Sequence, residues 1–168
     1  MTNPHTPVLH ISTATESDRS VLEQLWTMFS HDMSAHSGTL PDVHGRFRQE
    51  RLDNALTRAA WCGYVIRLDA VPVGFCIVRE VGSPEQVISS FFLVNAARRL
   101  GHGRVVVRAV TSQHRGPWAV AFQEANTAAA AFWRSIAAET DPGWASRTEP
   151  VSGRPDLPPD VWVRFWTR

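Results

Sequence analysis

The sequence predicts a mixed α/β (α+β) fold in which helices cover both faces of a mostly antiparallel central sheet of about six to seven strands. Two observations lead to this prediction. Short runs rich in β-branched and aromatic residues recur along the 168-residue chain, as is typical of strands with buried side chains. Between them lie segments whose apolar residues recur at helical spacing. The order of these segments favours a sheet with helices on both sides.

The N-terminal half is predicted to contain a strand, two helical regions and a hairpin. Residues 8–12 form the first strand, and Ser17 and Asp18 are candidates to cap a helix with one apolar stripe. We interpret the polar, glycine-terminated stretch 31–38 as a loop, and residues 41–60 as a second, more charged helical region. Strands at 61–68 and 71–79 are expected to pair as a hairpin around residues 69–70.

A glycine turn between a strand at residues 87–94 and a helix near Arg104 is the most informative feature of the chain. The turn holds Arg98, Arg99, Gly101 and Gly103. Glycine lets the backbone turn sharply and approach a ligand closely, and the first turn of a helix presents unpaired N–H groups to an anion. The arginines add positive charge and bidentate donors. The pattern therefore predicts a phosphate site.

The C-terminal half is predicted to add a strand at residues 117–122 and a helix that opens at Asn126. The apolar residues of this helix, which include Phe132 and Trp133, recur at helical spacing. Residues 141–160 are rich in proline, glycine and charge, so we expect a loop or an extended crossover there. A strand at 161–166 closes the sheet.

Two motifs in this order resemble those of the GNAT superfamily of N-acetyltransferases. The turn Arg98-x-x-Gly101-x-Gly103 is similar to the acyl-CoA pyrophosphate loop of that family. The stretch Asn126-x-x-Ala129-x-x-Phe132-Trp133 is similar to its later motif, a helix opened by asparagine beside the pantetheine arm. The resemblance covers about residues 8 to 140. It implies that the pantetheine arm enters where the fourth and fifth strands separate.

The resemblance also implies acetyl-CoA, or another acyl-CoA, as co-substrate, and an amine as acceptor. Gly101 and Gly103 are the strongest candidates for cofactor contacts, and Phe92 and Val94 are expected to act through backbone groups. Asn126 is either a contact or only a helix cap. The full set of predicted cofactor-binding residues is Phe92, Leu93, Val94, Arg98, Arg99, Gly101, His102, Gly103, Arg104, Asn126 and Phe132.

The catalytic residues are harder to predict, because the glutamate and tyrosine that many family members use are missing. Ser89 and Ser90 occupy the strand where an acid would help, and Trp133 stands at the place of the tyrosine. The candidates are therefore His31, Asp32 and Ser90, together with His36, since histidine titrates near neutral pH and a carboxylate can orient it.

Three explanations of this loss stay open. A histidine or aspartate of the stretch 31–38 acts as the base; or positioning of a neutral amine supplies most of the rate, with backbone N–H groups polarising the carbonyl; or the domain uses aminoacyl-tRNA as acyl donor, for which an arginine patch is suited. A further alternative, from another class, is a module that binds acyl-CoA without catalysis.

Composition and charge limit the partners and the cellular location that we expect. The formal net charge is +1, so the chain has no global nucleic-acid signature. The histidines show no metal-ligand spacing, and no apolar run approaches the ~20 residues of a membrane span. Residues 1–5 do not look like the start of a signal peptide. We expect a single cytoplasmic domain over residues 1–168, no metal, no membrane partner and a small-molecule amine acceptor, and a homodimer stays open.

Overall fold

The protein is described by a computed structural model over residues 6–168. Residues 1–5, which entered the expectation of a cytoplasmic protein, lie outside this range. Within residues 6–168, seven strands form one sheet in the order β1-β2-β3-β4-β5-β7-β6. Its strands are β1 (Leu9–Thr13), β2 (Trp61–Leu68), β3 (Val71–Arg79), β4 (Gln86–Leu93), β5 (Gly116–Phe122), β6 (Ala145–Glu149) and β7 (Asp160–Thr167).

The sheet is antiparallel except where β4 and β5 run parallel. The predicted mixed, mostly antiparallel sheet of six to seven strands is therefore confirmed. The hairpin of β2 and β3 has the predicted ends. Its central residues are buried on both faces of the sheet, which explains why their composition is so clearly that of strands.

Helices lie on both faces of the sheet, as predicted. They are α1 (Arg19–Ser37), α2 (Glu50–Thr57), α3 (His102–Thr111) and α4 (Thr127–Thr140). On one face, Leu22 and Trp26 of α1 and Leu52 of α2 pack against Phe75 of β3. On the other face, Val106 of α3 and Trp133 of α4 belong to a second buried cluster. None of the helices in residues 6–168 is long and apolar enough to cross a membrane.

The parallel strands β4 and β5 separate soon after they pair. Their pairing runs only from Gln86 opposite Trp118 to Ile88 opposite Val120. Beyond Ile88 the register of β4 against β3 shifts, because Ser90 lies opposite Ile77 while Ile88 lies opposite Val78. Ser89 is thus the extra residue of a β-bulge, a feature that bends a strand and often lies beside an active site. The cleft that opens here holds the candidate site.

The stretch 31–38, interpreted from the sequence as a loop, belongs to α1. The helix continues to Ser37, and Gly38 is its C-cap. The polar residues of this stretch do not end the helix, because their side chains are exposed or only partly buried and a polar composition is compatible with such a helix face. The prediction of a loop at His31 and Asp32 was therefore wrong.

Two other boundaries differ from the prediction. Only Glu50–Thr57 of the expected helical region 41–60 is helical, because Asp42 Oδ1 accepts hydrogen bonds from the N–H groups of His44 and Arg46 and holds a turn there. The expected loop 141–160 contains β6. This edge strand carries mostly exposed side chains, so its sequence lacks the alternation that identifies a half-buried strand.

Candidate active site

Two adjoining cavities open into the cleft between β4 and β5. The first, the turn cavity, has a volume of about 840 Å³ and extends along Leu93, Arg98, Gly101 and Phe132. The second, the arginine cavity, has a volume of about 500 Å³ and extends along Arg51, Arg79, Ser90, Asp160 and Trp162. The residues that line both cavities are Phe29, Met33, His36, Phe91, Asn126, Ala129 and Trp133. Two molecules bound in these cavities would meet at that shared wall.

The backbone of the glycine turn leaves several consecutive N–H groups without a backbone acceptor. Gly101 is the N-cap of α3 with φ at +84°, a conformation that glycine adopts at no steric cost, and Arg99 also has positive φ at +63°. The N–H groups of residues 99–103 donate to no backbone carbonyl within residues 6–168. Five consecutive donors at a helix N-terminus fit the pyrophosphate of an acyl-CoA.

The three arginines predicted to assist this turn have different surroundings. Arg98 donates from Nε to the Leu93 carbonyl at 2.7 Å and from Nη2 to Asp32 Oδ2 at 2.6 Å. Arg104 donates from Nη2 to Glu139 Oε1 at 2.8 Å and to Ser135 Oγ at 2.7 Å, so its guanidinium ties α3 to α4. The Arg99 side chain is exposed, lines the turn cavity and has no ion pair among the described residues.

Aromatic packing explains the second glycine of the turn. A Cβ at Gly103 would lie 3.1 Å from Cε2 of Phe132. The Phe132 ring stacks on that of Phe91, with centroids 5.7 Å apart and an interplanar angle of 3°. Gly103 therefore lets α3 approach this pair, which forms an apolar wall of the turn cavity. His102, predicted as a contact, begins α3 but its side chain does not line either cavity.

Asn126 caps α4, as one of its two predicted roles requires. Its Oδ1 accepts a hydrogen bond from the Ala129 N–H at 3.1 Å. It also lines both cavities. The geometry thus makes capping compatible with contact to a ligand.

Removing the cap at Asn126 should lower the stability of the protein, whereas a carboxylate at this position should preserve the cap. Asn126→Ala is expected to lower the free energy of unfolding by about 1 kcal/mol, which corresponds to a fall in melting temperature of roughly 2–4 °C. Asn126→Asp retains an acceptor at a helix N-terminus and should melt close to the wild type. Thermal denaturation of the two variants checks this. Equal losses in both would show that the amide, and not the cap, is what the helix needs.

The backbone groups that face the cleft are not all those predicted on β4. The Val94 N–H donates to the Val73 carbonyl at 2.8 Å, so it serves the pairing with β3. In an antiparallel strand the hydrogen-bonding direction alternates, which places the N–H groups of Phe92 and Val94 toward β3 and those of Phe91 and Leu93 toward the cleft. Phe91, Phe92 and Leu93 all line the turn cavity, and Phe92 and Leu93 were among the predicted residues.

Ser90 is a buried polar residue at the cleft. Its side chain is 5% exposed and lines the arginine cavity. Its Oγ is buried without a hydrogen-bond partner among the described residues. A buried polar atom without a partner costs stability, so a hydroxyl in this position is consistent with a role toward a bound molecule.

The three candidate catalytic residues on α1 have different surroundings. His31 is exposed and lines neither cavity. Asp32 pairs with Arg98 through Oδ2 and is therefore not placed to orient His31. His36 is also exposed, but it lines both cavities, at the wall that they share. Of the titratable groups named from the sequence, His36 is the one that the fold brings to the junction.

The chain's only tyrosine is not in the cleft. Tyr64, on β2, lines neither cavity and donates to Gln113 Oε1 at 3.2 Å. Burial and the neighbouring Cys62 raise the pKa of Tyr64 well above its usual range. Trp133, at the place that the resemblance gives to a tyrosine, is buried beside Phe91 and Phe132. The indole forms part of the shared wall and offers no titratable proton.

Several residues of the cleft escaped the sequence analysis. Arg51, Arg79 and Asp160 belong to three separate elements, and their spacing in the chain carries no signal that they share a cavity. Phe91 was assigned to the strand but not to the site. Within residues 6–168 no cluster of histidine, cysteine or acidic residues is arranged to hold a metal ion.

Comparison with known proteins identifies the family. The model of the acetyltransferase (GNAT) family matches residues 22–137, so the chain belongs to this family of enzymes, whose co-substrate is acyl-CoA. The matched region includes the glycine turn and the helix that Asn126 caps. No curated protein is significantly similar to the chain in sequence.

Solved structures show the same fold at low sequence identity. An acetyltransferase from Thermus thermophilus superposes with a TM-score of 0.66 at 15% identity, covering 94% of this chain and 96% of that one. A ribosomal L7/L12 alpha-N-protein acetyltransferase in complex with coenzyme A gives 0.68 at 14%, covering 98% and 97%. An aminoglycoside acetyltransferase from an uncultured soil metagenomic sample gives 0.57 at 20%, covering 76% and 86%. The chain thus has the GNAT fold over nearly its whole length.

Proposed function

We propose that the protein transfers an acetyl group from acetyl-CoA to a primary amine of a small molecule. The observation that carries this proposal is the junction of the two cavities. One cavity is lined by Arg99, Gly101 and Gly103 of the turn, whose N–H groups donate to no backbone carbonyl among the described residues, and the other has the volume of a small-molecule site. They meet at Phe91 and Trp133, beside the end of the pairing of β4 and β5.

The turn and β4 hold and orient the acyl donor. The N–H groups of residues 99–103 bind the pyrophosphate, and Arg99 adds a positive charge beside it. The N–H groups of Phe91 and Leu93 face the cleft, where they orient the pantetheine arm and polarise the acyl carbonyl. Bound acetyl-CoA would supply an already activated thioester. The protein therefore has to align the amine and accept its proton.

Ser90 is proposed to accept a hydrogen bond from the amine or from a water molecule, and His36 is proposed to accept the proton of the amine. The buried Ser90 Oγ has no partner among the described residues, so it is free to accept a hydrogen bond from the amine or from a water molecule. His36 lies at the shared wall and can take the proton, since a neutral imidazole is a base near neutral pH. Asp32 acts through Arg98, whose Nε also binds the Leu93 carbonyl, and so has a positioning role.

Acetyl transfer can be tested with purified protein, acetyl-CoA and a panel of primary amines. We expect amine-dependent release of the CoA thiol, with the acetylated amine identified by mass spectrometry. Binding of acetyl-CoA without transfer to any amine would favour a non-catalytic module. Indifference to CoA, together with tRNA binding that falls steeply with salt, would favour an aminoacyl-tRNA donor.

Ser90→Ala should separate activity from stability. Loss of the hydroxyl is expected to lower kcat about tenfold or more. The melting temperature should stay the same or rise, because the substitution removes a buried polar atom that has no partner. Ser146→Ala on the exposed edge strand β6 is the control and should change neither quantity. A fall in melting temperature with unchanged kcat would contradict the role given to Ser90.

A further inference from the structure

The part of the arginine cavity that lies away from the shared wall carries an excess of positive charge. The charged residues that line this cavity are Arg48, Arg51, Arg79, Glu50 and Asp160. Arg48 and Glu50 form an ion pair with each other, and both are largely exposed. Arg79 also forms an ion pair, with the adjacent Glu80. Among the described residues, Arg51 is therefore the one arginine of this lining that forms no ion pair, and Asp160 is the carboxylate that remains.

Arg51 has most of its hydrogen-bonding capacity unused. Its Nη1 donates to the Ser89 carbonyl at 3.0 Å, at the bulge of β4. It forms no ion pair with a carboxylate anywhere in residues 6–168. The guanidinium carries five donors in a planar fork that matches a carboxylate. Arg51 is exposed and lines the cavity, so a bound molecule can reach its guanidinium.

Arg79 brings a second guanidinium to the same cavity. Its Nη1 lies 3.3 Å from Oε1 of the adjacent Glu80, and its Cζ lies 6.0 Å from the ring centroid of Trp162. Burial and the charge of Arg79 lower the pKa of Arg51. Burial also raises the pKa of Asp160 and so makes its carboxylate a weaker partner for Arg51, although the charge of Arg51 lowers that pKa. A bound anion would relieve this repulsion between two arginines.

The register of β4 gives the spacing of the backbone positions that these arginines contact or face. Phe91 lines both cavities, Arg51 binds the carbonyl of Ser89, and Arg79 lies opposite Val87. At about 3.3 Å per strand residue, Ser89 and Val87 lie at most roughly 7 Å and 13 Å along β4 from Phe91, because the bulge shortens this stretch. A chain of about five carbons between amine and carboxylate spans the shorter of these two distances.

We propose that the acceptor is a primary amine that also carries a carboxylate, and that Arg51, with Arg79, binds this carboxylate. This inference rests on the proposed acetyl transfer for its amine, but the anion site can be tested without turnover. The same charges disfavour acceptors with several ammonium groups, such as aminoglycosides. The guanidinium of Arg51, unpaired among the described residues, repels such molecules.

The test compares a carboxylate with its neutral amide in two ways. Binding of 6-acetamidohexanoate and of 6-acetamidohexanamide is measured by calorimetry on the full-length protein with CoA present. Turnover is measured separately with 6-aminohexanoate, 6-aminohexanamide and 1,6-diaminohexane. We expect the carboxylate to bind at least about tenfold more tightly than the amide, and kcat/KM to follow the same order, with the diamine poorest. Equal binding of acid and amide, or no binding of either, would overturn the proposal.

Variants of Arg51, Arg79 and Asp160, with Arg58 as the control position, locate the anion site. Arg51→Gln should reduce the preference for the acid to within about threefold and leave binding of the amide unchanged. Asp160→Asn should tighten binding of the acid, because it removes the competing carboxylate. Arg58→Gln, at the exposed C-cap of the same helix and outside both cavities, should behave as wild type. A preference that survives in Arg51→Gln and in Arg79→Gln would refute the site. Tight, Arg51-dependent binding without turnover of any amine would instead contradict acetyl transfer alone.

Discussion

Replacing Gly101 by valine is expected to weaken acetyl-CoA binding at least about 100-fold, equal to about 2.7 kcal/mol. Gly101 has φ at +84° and nothing within 4 Å of a Cβ placed on it. The side chain would therefore project into the turn cavity, which Gly101 lines, and the backbone would tend to leave the left-handed conformation. Both effects disturb the N–H groups of residues 99–103. Calorimetric titration with acetyl-CoA measures the loss.

The effect of Gly101→Val on folding should be much smaller. The left-handed conformation costs a residue with a Cβ about 1–2 kcal/mol, and open space surrounds the new side chain. Gly82→Val is a close control, because Gly82 also has φ at +84° with nothing within 4 Å of its Cβ, but it lies in the turn between β3 and β4 and lines neither cavity. Equal losses of acetyl-CoA binding in both variants would mean that the effect comes from strain and not from the site.

The largest expected effect on stability is that of Gly74→Ala. Gly74 in β3 lies opposite Leu93 of β4. A Cβ there would lie 2.1 Å from the carbonyl oxygen of Phe92 and 2.7 Å from Cδ2 of Leu93. No change of rotamer relieves a clash with backbone, so the two strands must move apart. We expect a loss of about 3 kcal/mol or more, seen as a fall in melting temperature of roughly 6–12 °C.

Gly63→Ala provides the comparison for Gly74→Ala. Gly63 also lies inside a strand, β2, but the nearest atom to its Cβ is the side-chain Cβ of Ala14 at 3.2 Å. Small adjustments of α2 and of the segment at Ala14 can accommodate a methyl group, and alanine restricts the unfolded chain. The stability should change by about 1 kcal/mol or less. If Gly74→Ala melts no lower than Gly63→Ala, the close approach of β3 to β4 does not constrain the fold as described.

The sequence predicted those elements whose buried faces leave a pattern. The hairpin of β2 and β3 could be assigned to the residue, because its side chains are apolar over most of both strands. The edge strand β6 was missed because nearly all its side chains face solvent. The last turns of α1 were taken for a loop because they are polar and end at a glycine, although the helix continues to Ser37. In β6, exposure and not local conformation determined the composition.

The residues of the candidate site that lie in a short sequence motif could be predicted. Those that the fold brings together from distant positions could not. Gly101, Gly103 and Asn126 lie in short motifs whose geometry is local, and the structure gives each a stereochemical reason. Arg51 and Asp160 are 109 positions apart in number, and only the packing of α2 and β7 about β4 brings them to one cavity. The same holds for His36, whose position depends on α1 continuing beyond the predicted end.

The alternation of β4 was also beyond the sequence analysis. Phe92 and Val94 were expected to present backbone groups to the cofactor, whereas the bulge at Ser89 and the pairing with β3 turn those of Phe91 and Leu93 to the cleft. A one-residue change of register exchanges the two sides of a strand. The run 87–94 contains no signal for it, because each of its two alternating sets of residues holds three apolar residues and one serine.

The measurement that tests the central claim most directly is the melting temperature of the protein against rising acetyl-CoA, with free CoA and bulk tRNA in parallel. A ligand at ~100 times its dissociation constant stabilises the folded state by about 2.7 kcal/mol, which corresponds to a rise of roughly 5–11 °C. We predict this rise with acetyl-CoA and with CoA, and its loss in Gly101→Val. No rise with either, and a response to tRNA alone, would contradict the assignment of the turn to acyl-CoA.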